Sequence, residues 1–299
     1  MTIISPYGGG ERWYRGNLHC HTTESDGGLP PEETVAQYRS AGYDFLAITD
    51  HGHLTDVSHL ADERFATIRG EELSNPHLVA LGIREGIEDR LDFAEQIAAV
   101  REQGGLPILA HPAWMGLRVG DIAKQDGLAG MEVYNHICQL LNGKGSSVNI
   151  WDELLMNGRQ LWGVAADDAH LSTFHPQLQG AWVMVAAEEL TEAALLSALE
   201  AGCFYSTCGP EIRSVEVKAG EDEQQLISVA CSPCTEVRFV GAAFHGGVVR
   251  APEGELLEGA GHCPLEDMVY CRIECADAQG RVAWSNPLRI GPGAPTPSA

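Results

Sequence analysis

The sequence predicts an α/β protein, a largely parallel sheet covered by helices, followed by a smaller all-β unit. Three observations carry this expectation. From residue 13 to about 207, short apolar runs of β character alternate with segments of helical periodicity. Those runs are apolar at nearly every position, as in strands buried on both faces, so the sheet is parallel and either open or closed into a barrel. After Cys208-Gly209-Pro210 the helical patterns stop, and strand-like runs broken by Gly, Pro, Asp and Asn continue to about residue 291.

Taken in order, the expected strands span 13–19, 45–49, 65–70, 78–82, 106–110, 131–134, 161–165 and 181–185. "PPEETVAQYRSAG" opens on proline and acidic residues and closes on glycine, the start and stop signals of a helix in the right order. "DRLDFAEQIAAVREQGG" spaces Leu91, Ala94, Ile97, Ala98 and Arg101 as one helical face and ends on Gly104-Gly105. "TEAALLSALEAG" is a third helix with Thr191 as its N-cap. A chain of 299 residues is long for one core. The expected division is 1–208 for the α/β part, 209–291 for a small β-sandwich-like domain, and 292–299 for a disordered Pro/Gly/Ser-rich tail.

Composition narrows the function. With 19 basic against 42 acidic residues the net charge is −23, which repels phosphate backbones and disfavours a nucleic-acid partner. No apolar run reaches membrane-spanning length and the N-terminal residues lack the pattern of a signal peptide, so a cytoplasmic protein with no membrane partner is expected. An odd count of nine cysteines then suits reduced thiols. Cys231-Ser-Pro-Cys234 has C-x-x-C spacing but no second pair follows, and its strand-like setting favours plain structural residues over redox or metal chemistry.

The chemistry lies where strands stop. His19 and His21 end the first strand and, two apart on extended backbone, point the same way, with Asp26 in the loop behind them. Asp50-His51 ends the second strand, Glu71 the third, His111 the run "PILAHP", and Asp168 and His170 the run "WGVAADDAH". The C-terminal ends of parallel strands share one face, so these groups converge there. His77 begins its strand and reaches that face only if the strand runs antiparallel or its loop folds back. A single histidine at a strand end is more often a hydrogen-bonded loop residue, but six strand boundaries each carry ligand-type residues. Such a cluster is too costly to bury unpaired and too large for one ion, so two or three divalent cations are expected, zinc, manganese or iron, all of which suit mixed imidazole and carboxylate ligands. Asp50 is expected to orient an imidazole, and His136 to touch substrate or protonate a leaving group. Asp167 and the histidines at 53, 59, 175, 245 and 262 are taken as structural.

His-x-His-Thr…Asp-Gly, Thr-Asp-His, Gly-Glu, Ala-His-Pro and Asp-x-His, in this order, resemble the PHP (polymerase and histidinol phosphatase) superfamily of metal-dependent hydrolases over roughly residues 13 to 207. "GMEVYNH", "WDELLMNGRQLWGVAADDAH" and the closing "AWSNPLRI" are similar to its carbaryl-hydrolase (CehA/McbA-like) branch. The resemblance implies a distorted (β/α)7 barrel holding up to three ions. One ion would take His19, His21, Glu71 and Asp168; a second would share Glu71 and take His111 and His77; a third would take Asp26, His51 and His170.

Clustered divalent ions make water a nucleophile near neutral pH, and neither G-x-S-x-G nor a phosphate-cradling P-loop is present. Hydrolysis is therefore expected. A phosphoesterase acting on a small, anionic phosphate mono- or diester comes first, with Arg15, Arg118 and Lys144 as candidate contacts to the anion. A carbamate or carboxylic ester hydrolase is the alternative, with Trp114, Met115, Tyr134 and Trp151 as candidate walls of an apolar pocket. A metal-binding module without turnover is a third possibility. The β-rich part is a candidate surface for homo-oligomers.

Overall fold

The structure is a computed structural model and describes residues 2–7, 12–171, 177–219, 224–265 and 267–291. The expected tail at 292–299 and His175 lie outside these residues. The elements, in chain order, are β1 (Thr2–Ile4), β2 (Arg12–Asn17), α1 (Pro31–Ser40), β3 (Phe45–Ile48), β4 (Ala66–Leu73), β5 (Leu78–Leu81), α2 (Phe93–Glu102) and β6 (Leu106–Leu109). Next come α3 (Pro112–Met115), α4 (Val119–Ile122), β7 (Gly130–Asn135), α5 (His136–Asn142), α6 (Val148–Met156), β8 (Trp162–Ala166), β9 (Trp182–Ala187), α7 (Glu192–Ala201) and β10 (Phe204–Thr207). Strands alone follow: β11 (Ile212–Ala219), β12 (Gln225–Cys234), β13 (Glu236–Val240), β14 (Gly246–Arg250), β15 (Leu257–His262), β16 (Tyr270–Ala276), β17 (Val282–Ser285) and β18 (Leu288–Gly291).

The helices start where their chemistry dictates. Asp92 and Glu95 form a reciprocal capping box at α2, the Thr191 hydroxyl accepts from the Ala194 amide at α7, and prolines open α1. Val35 and Tyr38 of α1 bury against Leu46, Ile48 and Phe65 beneath it. Gly16 is required by close approach: a Cβ there would lie 2.1 Å from the Phe45 ring.

The molecule is a mixed α/β protein built on one large sheet, in which β2, β3, β4, β5, β6, β7 and β8 are successive neighbours. Every pairing in this series is parallel except those of β5, which runs antiparallel to both β4 and β6. Beyond their ends, β2 and β8 meet in a parallel bridge between Cys20 and Ala169. Pairing also continues across residue 208, since β10 joins β17, and β1 joins β18 near the other end of the chain.

A separate three-stranded sheet, β11-β12-β15, shares a core with β13, β16 and β18. Cys231, Cys234 and Cys275 are free thiols buried in that core. Arg272 of β16 bridges to the α/β part through two bonds to Asp152 of α6 (2.7 and 2.8 Å). No helix among the described residues is long and apolar enough to cross a membrane.

Candidate metal centre

His19 and His21 follow β2, His51 follows β3, His111 follows β6, and Asp168 and His170 follow β8, so one end of the sheet carries them all. His77 directly precedes β5, and because β5 is antiparallel its beginning lies at that same end. Two of these residues have left-handed backbone, His111 (φ 27°) and Asp168 (φ 53°), a conformation that is disfavoured outside glycine and concentrates at functional sites.

The carboxylate at the centre is Glu72, not the expected Glu71. Strand β4 continues past Gly70 to Leu73, so both glutamates obey the alternation of a strand and face opposite sides. Glu72 Oε1 lies 2.8 Å from His77 Nδ1 and 3.2 Å from His111 Nε2. Its Oε2 lies 3.0 Å from His51 Nδ1, 3.3 Å from His19 Nε2 and 3.4 Å from His21 Nε2. Glu71 instead accepts the Ile87 amide (2.6 Å) on the other face, where burial pushes its carboxyl up to about 7.

Asp168 completes the inner group. Its Oδ1 is 3.0 Å from His21 Nε2 and 3.4 Å from His19 Nε2, and those two nitrogens are 3.1 Å apart. Atoms bound to a common divalent ion at about 2.1 Å lie roughly 3.0–3.4 Å apart in octahedral or tetrahedral geometry, the spacing seen here. A second grouping joins His51, Glu72 and His77, and a third joins His21, Asp26, His51 and His170, with His170 Nε2 3.3 Å from Asp26 Oδ2.

The donor set calls for positive charge. Burial by itself would lower His19, yet the carboxylates of Asp168, Glu72 and Glu132 hold it well above its ordinary value. Burial would likewise raise Glu72, and the imidazoles around it hold it well below. The hydrogen bond from His170, helped by the other imidazoles, brings Asp26 to about 2. His21, hemmed in by burial and by His19, is lowered. Among the described residues, the buried atoms His21 Nδ1, His111 Nδ1 and Asp168 Oδ1 have no hydrogen-bond partner. The residues therefore fit divalent ions.

Two supporting residues went unnoticed in the sequence. Glu132, on β7, takes His19 Nδ1 at 2.8 Å with one oxygen and the His111 amide at 2.8 Å with the other. The former bond directs the His19 Nε2 lone pair into the cluster. Asn135 donates to Glu132 (2.7 Å) and Asp168 (3.1 Å) while its own oxygen caps α5 through the Cys138 amide. The available signal was "GMEVYNH", a glutamate and an asparagine inside an otherwise apolar strand. His170 is oriented similarly, its Nδ1 lying 3.0 Å from the Asp168 carbonyl.

Several expected roles change. Among the described residues Asp50 hydrogen-bonds no imidazole; it accepts from the Thr22 amide and hydroxyl, Ser25 and Thr55 (2.6–2.8 Å), which saturates the carboxylate and braces the loop carrying Asp26. His136 begins α5 with its ring against Gly180, where a Cβ would come within 2.0 Å, and the cleft is walled by Ile137, Cys138 and Leu141 of the same helix instead. Arg15 stacks between Tyr43 and Trp182, and neither Arg118 nor Lys144 lines the cleft. Of the four candidate wall residues only Trp114 reaches the cleft, 5.2 Å from the His111 ring. Trp151 is core, Tyr134 stacks on Trp284, and Met115 is not part of the lining. Asp167 is structural, accepting the Gly180 and Ala181 amides at 2.8 Å.

No protein-family model matches the chain. An uncharacterized protein of Methanocaldococcus jannaschii is 30% identical over 135 residues, 44% of this chain and 54% of its own. The chain thus spans about half the length of the curated relative it matches. A solved two-domain protein of Bacteroides vulgatus, described as "containing predicted PHP-like metal-dependent phosphoesterase", superposes with a TM-score of 0.55 at 14% identity, covering 92% of this chain and 94% of its own. The two share a fold.

Proposed function

We propose that this chain is a PHP-type metal-dependent hydrolase, and within that class a phosphoesterase acting on a small phosphate mono- or diester. One observation carries this reading: the two oxygens of buried Glu72 face different sets of imidazole nitrogens, so this one carboxylate would serve two cations. The strands β2 to β8, closed by the bridge between Cys20 and Ala169, are read as the distorted (β/α)7 barrel, with 209–291 as the β-sandwich-like domain.

By the distances between their donor atoms, His19, His21, Glu72 and Asp168 would hold one divalent ion, Glu72 with His77 and His111 a second, and Asp26, His51 and His170 a third. When bound, such ions lower the pKa of water and act as Lewis acids toward the ester. The chain's own residues do the rest. Glu132 and Asn135 fix the direction of His19 and Asp168, and Asp50 holds the loop of Asp26 rigid. Trp114, Ile137 and Leu141 give one side of a cleft of about 170 Å³ an apolar wall.

That apolar wall supports a second reading, hydrolysis of a carbamate or carboxylic ester, because no lysine or arginine among the described residues lines the cleft. The same feature favours a phosphodiester with an apolar substituent over a dianionic monoester. The test is elemental analysis of purified protein, then turnover of aryl phosphomonoester, phosphodiester, carboxylic ester and carbamate substrates with manganese, iron or zinc. Phosphodiester hydrolysis lost in His19→Ala and Asp168→Ala supports the first reading. Carbamate hydrolysis alone would replace it with the second, and metal-loaded protein inert on all substrates would leave a binding module.

A further inference from the structure

A second cavity, of about 280 Å³, lies at the seam between the end of α6, the start of β8, and strands β16 and β18. Its position is remote from the metal centre: Trp162 opens β8 while Asp168 follows its other end, six residues on and on the order of 20 Å away along extended chain. The walls are apolar, formed by Leu155, Met156, Trp162, Val269, Pro287 and Ile290, and the rim residues Met156 and Val269 are 46% and 54% exposed.

Two polar groups in this apolar wall are unaccounted for. Tyr270 is 4% exposed, and its hydroxyl has no hydrogen-bond partner among the described residues. Arg289 lies directly across from it in the antiparallel pairing of β16 and β18, so both side chains leave the sheet on one face. Among the described residues the Arg289 guanidinium has no ion-pair partner in a chain of net charge −23, and burial without a compensating anion lowers its pKa. The other arginine of the lining, Arg159, is already engaged by Asp126 and the Gln125 carbonyl. The buried hydroxyl left unpaired costs stability unless a ligand satisfies it, and the half-buried Arg289 beside it is free to meet an anion.

We propose that this cavity binds a small amphiphilic monocarboxylate, its carboxylate held by Arg289 and the Tyr270 hydroxyl and its apolar body by Leu155, Met156, Trp162 and Val269. The planar guanidinium matches a carboxylate in bidentate fashion, and the hydroxyl supplies one further donor. A polyanion would need more donors than these and would meet the repulsion of the whole chain.

Octanoate and its uncharged counterpart octan-1-ol are titrated calorimetrically into the full chain and into the Arg289→Gln and Tyr270→Phe variants, after thermal melting confirms that each variant folds. Octanoate is expected to bind one per chain, with affinity lowered roughly ten-fold or more by Arg289→Gln and about three- to ten-fold by Tyr270→Phe. Octanol affinity is expected to be unaffected by Arg289→Gln. Should that variant not fold, Tyr270→Phe, which keeps the ring, decides by the same comparison of acid with alcohol. Absence of octanoate binding at millimolar concentration, equal binding to parent and variants, or burial of the cavity in a dimer that octanoate does not dissociate would each overturn the proposal.

Discussion

Replacing Glu72 by glutamine separates the metal centre from its neighbour on the same strand. Glu72 stands 2.8 to 3.4 Å from five imidazole nitrogens, with both oxygens in use. Glutamine keeps the shape but turns one oxygen into an NH2 donor, so one of the two groups faces a hydrogen where it needs a lone pair. Loss of a group that merely orients a ligand weakens metal binding about 10- to 100-fold, and loss of a direct ligand should cost at least that at the one group that meets the NH2, or about 1.4–2.7 kcal/mol and more. Glu71→Gln is the matched control: its hydrogen bond among the described residues is to the Ile87 amide, and a glutamine oxygen still accepts that bond. Manganese titration by calorimetry, with elemental analysis after dialysis, should show Glu72→Gln retaining one ion fewer than the parent and Glu71→Gln indistinguishable from it. Metal lost from Glu71→Gln but retained by Glu72→Gln would refute the reasoning.

Three further outcomes are expected. Glu132→Gln leaves one oxygen to accept from His19 Nδ1, the His111 amide and Asn135 together, so His19 loses its fixed direction and metal binding should weaken about 10- to 100-fold in the same titration. Arg272→Ala strands the carboxylates of Asp152 and Glu274 at the seam of the two parts and should cost roughly 3–5 kcal/mol in denaturant unfolding. Glu274 is held below the ordinary carboxylate range because Arg272 and Arg238 outweigh its burial. Its stabilisation is therefore complete above its unfolded value, near 4.3, and is lost as pH falls through the folded value. Between pH 7 and pH 3.5 the parent should lose more stability than Glu274→Gln, and parallel pH profiles would contradict that origin.

Much of the fold was legible because local chemistry wrote it. Prolines, an aspartate–glutamate box and a threonine cap mark the helix starts, and unbroken apolar runs mark the strands. The site was legible as a list, because ligand-type side chains recur where strands end. It was misread by one position at Gly70-Glu71-Glu72, where the strand was expected to end too early. Even there the sequence held a cue: Arg69 must face outward, where it meets Glu192, and Glu71 shares its parity while Glu72 does not.

The sequence by itself determined which residue types stand at the strand ends and therefore that cations suit this protein, since a cluster of carboxylates and imidazoles has few other reasons to be buried. Tertiary structure decided which of them meet. Only the pairing of β5 between β4 and β6 brings His77 to the right end, and only the depth of β7 places Glu132 behind His19. The direction of a strand and the partner of a buried side chain are set by contacts between segments far apart in the chain, which no local pattern encodes.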